Sequence, residues 1–136
     1  GSPFVFDFIG NASRIPVTVD HGRVTAGGTR IDLGLDVLGS GPATLFVRPQ
    51  HWSLADGVGG LPAVVAATRR HGTARRLDLV VEGGTAIEID VVPQVAVAVG
   101  DRLTVAPTAW RLFFEDGRSV GGTNAAPRAE TRAVVG

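Results

Sequence analysis

Apolar and polar residues alternate along most of this chain, and glycine pairs interrupt the alternation. Ile15, Val17 and Val19 alternate with Pro16, Thr18 and Asp20, a period of two that sends one side-chain row toward a core and the other toward water. His21-Gly22 then marks a turn. Arg23 to Ala26 and Thr29 to Leu33 flank Gly27-Gly28, a pair suited to a two-residue hairpin loop. Gly34 ends that run. Gly39, Gly41 and Pro42 mark a loop, and Ala43 to Arg48 reads as the next strand. Ala63 to Arg70 and Leu77 to Glu82 follow, joined around His71-Gly72-Thr73. Gly83-Gly84 turns into Thr85 to Val91, where Ile87, Ile89 and Val91 alternate with Glu88 and Asp90. Gly100-Asp101 opens Arg102 to Ala106, and Trp110 to Phe114 completes the pattern. Short strands about 8–12 residues apart, with Gly-rich turns, predict an all-β barrel or sandwich.

Three segments break the period. Residues 3–9 start on Pro3 and put Phe4, Val5, Phe8 and Ile9 on one broad face, which predicts a short N-terminal helical turn stopped at Gly10. The run Asp56-Gly57-Val58-Gly59-Gly60 reads as a hinge between two halves. Residues 116–136 are polar, rich in Gly, Ala and Arg and without period, so they are expected to form a mobile tail.

The length of 136 residues fits a single domain. Folding a chain of this mass removes roughly two-thirds of its extended surface, enough for one core. Charge adds little, since 13 basic residues balance 13 acidic ones and no net field steers the chain toward nucleic acid or anionic membrane. Every basic residue is Arg, and there is no Lys, Cys or Met. Without Cys there are no disulfides, thiolate zinc sites or cysteine nucleophiles. No apolar run reaches the roughly 18 residues of a membrane span. Gly1-Ser2 in a chain without Met is expected to be a tag-cleavage scar, on a piece cut from the end of a longer cytoplasmic protein.

The missing Lys excludes a phosphate-binding P-loop, which needs one to reach the terminal phosphates. No nucleophile–base constellation is visible, so no enzymatic activity is expected of the chain itself, and no cofactor. His21, His51 and His71 are dispersed singly and read as surface or turn residues rather than a converging metal set. The densest chemistry is Arg69-Arg70-His71-Gly72-Thr73-Ala74-Arg75-Arg76. Four guanidinium forks at one hairpin tip suit an oxyanion, and the Gly72 and Thr73 amides could add a backbone nest. The plain reading is a charged, solvated tip or a subunit contact, and strand alternation would put only some of these arginines on one face. A nucleic-acid reading wants aromatics interleaved with the basic residues. Phe4, Phe6, Phe8, Phe46, Trp52, Trp110, Phe113 and Phe114 all lie outside the basic hairpin, so no nucleic-acid partner is expected.

One ordered set of phrases adds a resemblance. The opening Phe4-Val5-Phe6-Asp7-Phe8-Ile9-Gly10-Asn11 is answered by Leu45-Phe46-Val47-Arg48-Pro49. Leu61 to Glu82 then alternates about a central Gly, followed by Val99-Gly100-Asp101-Arg102-Leu103 and Ala109-Trp110-Arg111-Leu112-Phe113. In this order and spacing, residues 3–115 resemble the TOBE domain, the C-terminal regulatory domain of ABC-importer ATP-binding subunits. Gly10, Asn11, Arg14 and the Leu45-Phe46 strand are most similar to the sulfate/thiosulfate branch. Ser13 stands where Asn is expected, and Gln50-His51 replaces a loop that is often acidic.

The resemblance implies an OB-like β-barrel (TOBE/MOP-like) over residues 11–115, with residues 3–10 as the link from an ATPase domain that binds ATP and Mg. It implies three partners: the ATPase domain of the same chain, a second copy of the subunit, and transporter membrane subunits. The location implied is the cytoplasmic face of the membrane. Phe4, Phe6 and Phe8 would be buried against the ATPase domain. Arg48, fixed in extended geometry by Pro49, would either pin its loop through a carboxylate or face an interface. An oxyanion-sensing module using Arg69, Arg70, Arg75 or Arg76 and an OB-like nucleic-acid binder stand as the alternatives.

Overall fold

The structure, a computed structural model, describes residues 11–34, 36–55 and 60–124. Eleven strands run in chain order: β1 (Ser13–Asp20), β2 (Arg23–Ala26), β3 (Thr29–Ile31), β4 (Gly41–Val47), β5 (Trp52–Leu54), β6 (Leu61–His71), β7 (Ala74–Val81), β8 (Ala86–Val91), β9 (Arg102–Pro107), β10 (Ala109–Phe114) and β11 (Ser119–Thr123). A single 3₁₀ turn, Pro49–His51, is the one helical element among the described residues. No helix there is long and apolar enough to cross a membrane. The predicted N-terminal helical turn lies outside the described residues.

The strands form two antiparallel sheets, one ordered β11-β10-β4-β1-β2-β3 and the other β5-β9-β6-β7-β8. The expected all-β class holds, but the sheets do not close into a barrel. Edges remain at β11 and β3 in the first sheet and at β5 and β8 in the second. The break follows from the chain's switch between sheets. After β4, Arg48 stays extended at φ −77° and ψ 155° and Pro49 opens the 3₁₀ turn. Pro49 offers no amide to a ladder, so the chain leaves the first sheet there and re-enters pairing only at Trp52, opposite Pro107. The return crossing at Thr108 lies beside it, with the Thr108 amide donating to the His51 carbonyl at 2.7 Å.

Alternation places the core where the sequence predicts it. Ile15, Val17, Val19, Leu45, Leu61, Leu77, Ile89 and Leu112 are all buried and join one apolar cluster drawn from both sheets. Trp110 belongs to it and satisfies its indole by donating from Nε1 to the Leu33 carbonyl at 3.1 Å. The Gly27-Gly28 loop has φ of 56° and 87°, both left-handed as the favoured hairpin turn requires, and Ala26 pairs with Thr29 across it.

Two expectations are corrected. The 56–60 run does not divide the chain into sequential halves: β10 and β11 return to the first sheet after β9. Gly60 itself is buried, and a Cβ there would lie 2.2 Å from Thr104 Cγ2, so it is a close-packing position; residues 56–59 lie outside the described residues. The mobile tail expected from residue 116 is also wrong over its first part, because β11 pairs with β10 from Phe113↔Ser119 to Ala109↔Thr123. Just beyond it, Asn124 is buried, with its amide donating to the Thr108 carbonyl at 2.8 Å and Nδ2 to the Asp32 carbonyl at 3.0 Å. Ser119-Val120-Gly121-Gly122-Thr123 carries no apolar row, so only its neighbour makes it a strand.

Candidate functional site: the basic hairpin and its carboxylate lattice

The hairpin of β6 and β7 carries all four arginines singled out from sequence, and register decides what they do. A bulge between Val65 and Ala67 shifts the pairing, after which Ala67 opposes Asp78, Thr68 opposes Leu77, Arg69 opposes Arg76 and Arg70 opposes Arg75. Strand β8 extends these rows. Glu88 falls beside Asp78, Ile89 beside Leu77, Asp90 beside Arg76 and Val91 beside Arg75. Leu77 and Ile89 are fully buried, so their row faces the core. Successive rows alternate faces, which puts Arg69, Arg76, Asp78, Glu88 and Asp90 on the outer face and Arg70 and Arg75 on the core side.

The outer face is an ion-pair lattice. Arg76 donates from Nε to Asp90 Oδ1 at 2.6 Å and from Nη2 to Asp90 Oδ2 at 3.1 Å, a two-pronged pairing, and from Nη1 to Glu88 Oε1 at 3.2 Å. Arg69 donates to Asp78 Oδ2 at 2.6 Å and to Glu88 Oε2 at 3.1 Å. Glu88 thus bridges both arginines. The Arg76 side chain is only 14% exposed. Its hydrogen bond to Asp90 raises its pKa above the ordinary arginine value; burial opposes this, and the charges of Asp90, Glu88 and Asp78 reinforce it.

The four guanidinium groups therefore do not converge. Arg69 and Arg76 are committed to carboxylates, whereas the side chains of Arg70 and Arg75 make no hydrogen bond or ion pair among the described residues. The three carboxylates were missed from sequence. Glu88 and Asp90 were visible as the polar half of an alternating strand, but only register brings them beside Arg76 and Arg69. No group of three or more His, Cys, Asp or Glu among the described residues is arranged to hold a metal.

The remaining candidates sit elsewhere. Arg48 is half-buried between β4 and the 3₁₀ turn, and its carbonyl accepts from the His51 amide at 2.9 Å. Phe4 and Phe8 lie outside the described residues, as does Phe6. The outer face of the first sheet holds a row of Arg14, Phe46 and Arg111. Phe46 there is 6% exposed and meets Phe113 edge-to-face at 5.1 Å between ring centres. Where the two sheets meet, Ser13 Oγ accepts from the Glu88 amide at 3.1 Å, tying β1 to the lattice strand.

No protein-family model matches the chain. Individual relatives do. The sulfate/thiosulfate import ATP-binding protein of Brucella melitensis is 40% identical over 114 residues, covering 82% of this chain and 32% of that protein. The protein of that name in Rhodopseudomonas palustris is 37% identical over 118 residues, covering 84% and 34%. A third, from Rhizobium meliloti, is 35% identical over 137 residues, covering 98% and 36%. The chain spans about a third of the length of the relatives it matches. Over nearly its whole length, this all-β chain is homologous to a part of the ATP-binding subunits of sulfate/thiosulfate importers.

Proposed function

We propose that the chain is the C-terminal regulatory domain of the ATP-binding subunit of an ABC importer for sulfate or thiosulfate, without ATPase activity of its own. The observation that carries this reading is the match to about a third of each relative by a chain that has no Lys for a P-loop. ATP and Mg would be bound by an ATPase domain preceding residue 3. The partners are that ATPase domain, a second copy of the subunit and the importer's membrane subunits, at the cytoplasmic face of the membrane. Phe4, Phe8 and Arg48 are the residues proposed for those contacts.

The mechanism is mechanical. The domain braces the two ATPase domains as they open and close, and any effector acts by binding one arrangement better than the other. The test is to delete residues 11–124 from the parent subunit in the assembled transporter. The expected result is retained ATP hydrolysis with altered coupling of hydrolysis to uptake. Unchanged hydrolysis, uptake and coupling would remove the regulatory reading.

A further inference from the structure

Two buried side chains spend their hydrogen bonds on one surface stretch, Asp32 to Gly34. Trp110 Nε1 donates to the Leu33 carbonyl at 3.1 Å and Asn124 Nδ2 to the Asp32 carbonyl at 3.0 Å. Asp32 Oδ1 in turn accepts from the Gly34 amide at 2.8 Å, and the Val37 amide donates to the Gly22 carbonyl at 3.1 Å. Buried donors hold their acceptors in place because leaving them unpaired is costly. Asp32 and Asp36 are thereby set against the β2–β3 ribbon, and between them lies a hollow of about 210 Å³. Val24, Ile31 and Leu33, each 2% exposed, form its floor. Its rim carries four exposed charges, Arg23, Arg30, Asp32 and Asp36. The register Thr25↔Arg30 and Val24↔Ile31, continued by one residue, sets Arg23 opposite Asp32 and diagonal to Arg30, all on the face away from the core. Yet none of the four forms an ion pair, and Asp32 Oδ1 makes their one side-chain hydrogen bond among the described residues. On β7 and β8 the comparable pair, Arg76 and Asp90, closes to 2.6 Å. Gly22, at φ 81°, lets Asp36 come this close, since a Cβ there would lie 3.0 Å from the Asp36 Cβ.

We propose that this hollow binds a small α-amino acid as its zwitterion, with the carboxylate between Arg23 and Arg30 and the ammonium on Asp32 and Asp36. A simple anion or a simple cation would meet its own sign at two of the four rim positions. A dipolar ligand meets the opposite sign at all four. The two guanidinium forks match the oxygens of a carboxylate. Asp32 Oδ2 and the Asp36 carboxylate have acceptor capacity for the three donors of an ammonium group. The volume equals that of about seven waters, room for a small amino acid rather than a chain segment. Exposed ion contacts are individually weak, so the dissociation constant falls in the millimolar range.

The experiment is an amide NMR titration of the 136-residue chain with glycine, alanine and serine. Sodium acetate and methylammonium chloride, at matched ionic strength, supply each pole alone. Saturable shifts are expected with the amino acids, centred on the amides of Gly22, Arg23, Asp32 and Gly34, with half-saturation at millimolar concentration. The single-pole salts should produce only weak, unsaturated drifts. Arg23→Gln or Asp36→Asn should each weaken binding about fivefold, and the double variant should abolish the saturable shifts. Arg102→Ala, an exposed arginine on β9, should leave them unchanged. The spectrum itself reports whether each variant is folded, and should Asp36→Asn fail to fold, Arg30→Gln carries the same test from the other pole. No saturable shift with any of the three amino acids overturns the proposal. Equal, saturable shifts with acetate or methylammonium alone, or a full response in the folded double variant, overturn it as well. Binding is read on this chain alone, so its outcome is separable from any role in the transporter.

Discussion

Arg76 and Asp90 face each other across β7 and β8, and the guanidinium grips both carboxylate oxygens, at 2.6 and 3.1 Å. Their side chains are 14% and 18% exposed, so water screens the pair far less than it screens Arg69 and Asp78, which are 46% and 32% exposed. Position in the lattice, rather than charge type, sets what each pair contributes.

Asp90→Ala is therefore expected to cost about 1–3 kcal/mol, since it leaves a mostly buried guanidinium without its principal acceptor. Arg69→Ala is expected to cost less than about 1 kcal/mol, as exposed pairs do. Urea unfolding of both variants, with an Arg76→Ala/Asp90→Ala double-mutant cycle, checks the order. Because the Arg76 pKa is raised, its contribution is complete below the ordinary arginine range and is lost only as pH rises through the folded value. The stability gap between wild type and Arg76→Ala should thus stay flat from neutral pH to about pH 10.

The edge strand β11 depends on glycine. A Cβ at Gly122 would lie 2.9 Å from Trp110 Cζ2, and one at Gly34, whose φ is 88°, would lie 2.7 Å from Asn124 Oδ1. Trp110 is 3% exposed and fixed in the core, so Gly122→Val must displace the strand instead, at about 1–3 kcal/mol. Asn124→Ala removes the bond to the Asp32 carbonyl and is expected to cost about 1–2 kcal/mol. Both losses would show as lower denaturation midpoints, and a neutral result for both would mean that β11 adds nothing to the fold.

The turn between β10 and β11 gives an acid-side prediction. The Arg118 amide donates to Asp116 Oδ1 at 2.9 Å and its Nε to Oδ2 at 2.8 Å. The amide is the larger cause and the guanidinium the second in holding the Asp116 carboxyl below the usual aspartate range. A depressed folded pKa contributes stability above the unfolded value and loses it as pH falls through the folded one. Carboxyl NMR titration should place Asp116 below the usual aspartate range, and Arg118→Ala, which removes the guanidinium but keeps the residue 118 amide, should raise it only part of the way.

Much of the fold was legible as period and punctuation. The rows Ile15-Val17-Val19 and Ile87-Ile89-Val91, the Gly27-Gly28 loop and the β6–β7 hairpin all follow from local alternation and turn chemistry, which act within a few residues. Strand β5 was not legible, because Trp52-Ser53-Leu54 is too short to show a period. Strand β11 was not, because its glycines make room for Trp110 and Arg111 rather than filling a core.

Local alternation and turn chemistry suffice for the all-β class, the core rows and the place of the four arginines at one hairpin. Tertiary structure decided that two of them, Arg69 and Arg76, are neutralised by Asp78, Glu88 and Asp90, and that Arg70 and Arg75 are left facing each other. Register makes the difference. The bulge at Val65/Ala67 sets which side chains share a row, and a one-residue slip would exchange the faces, a choice made by packing across three strands and carried by no single segment.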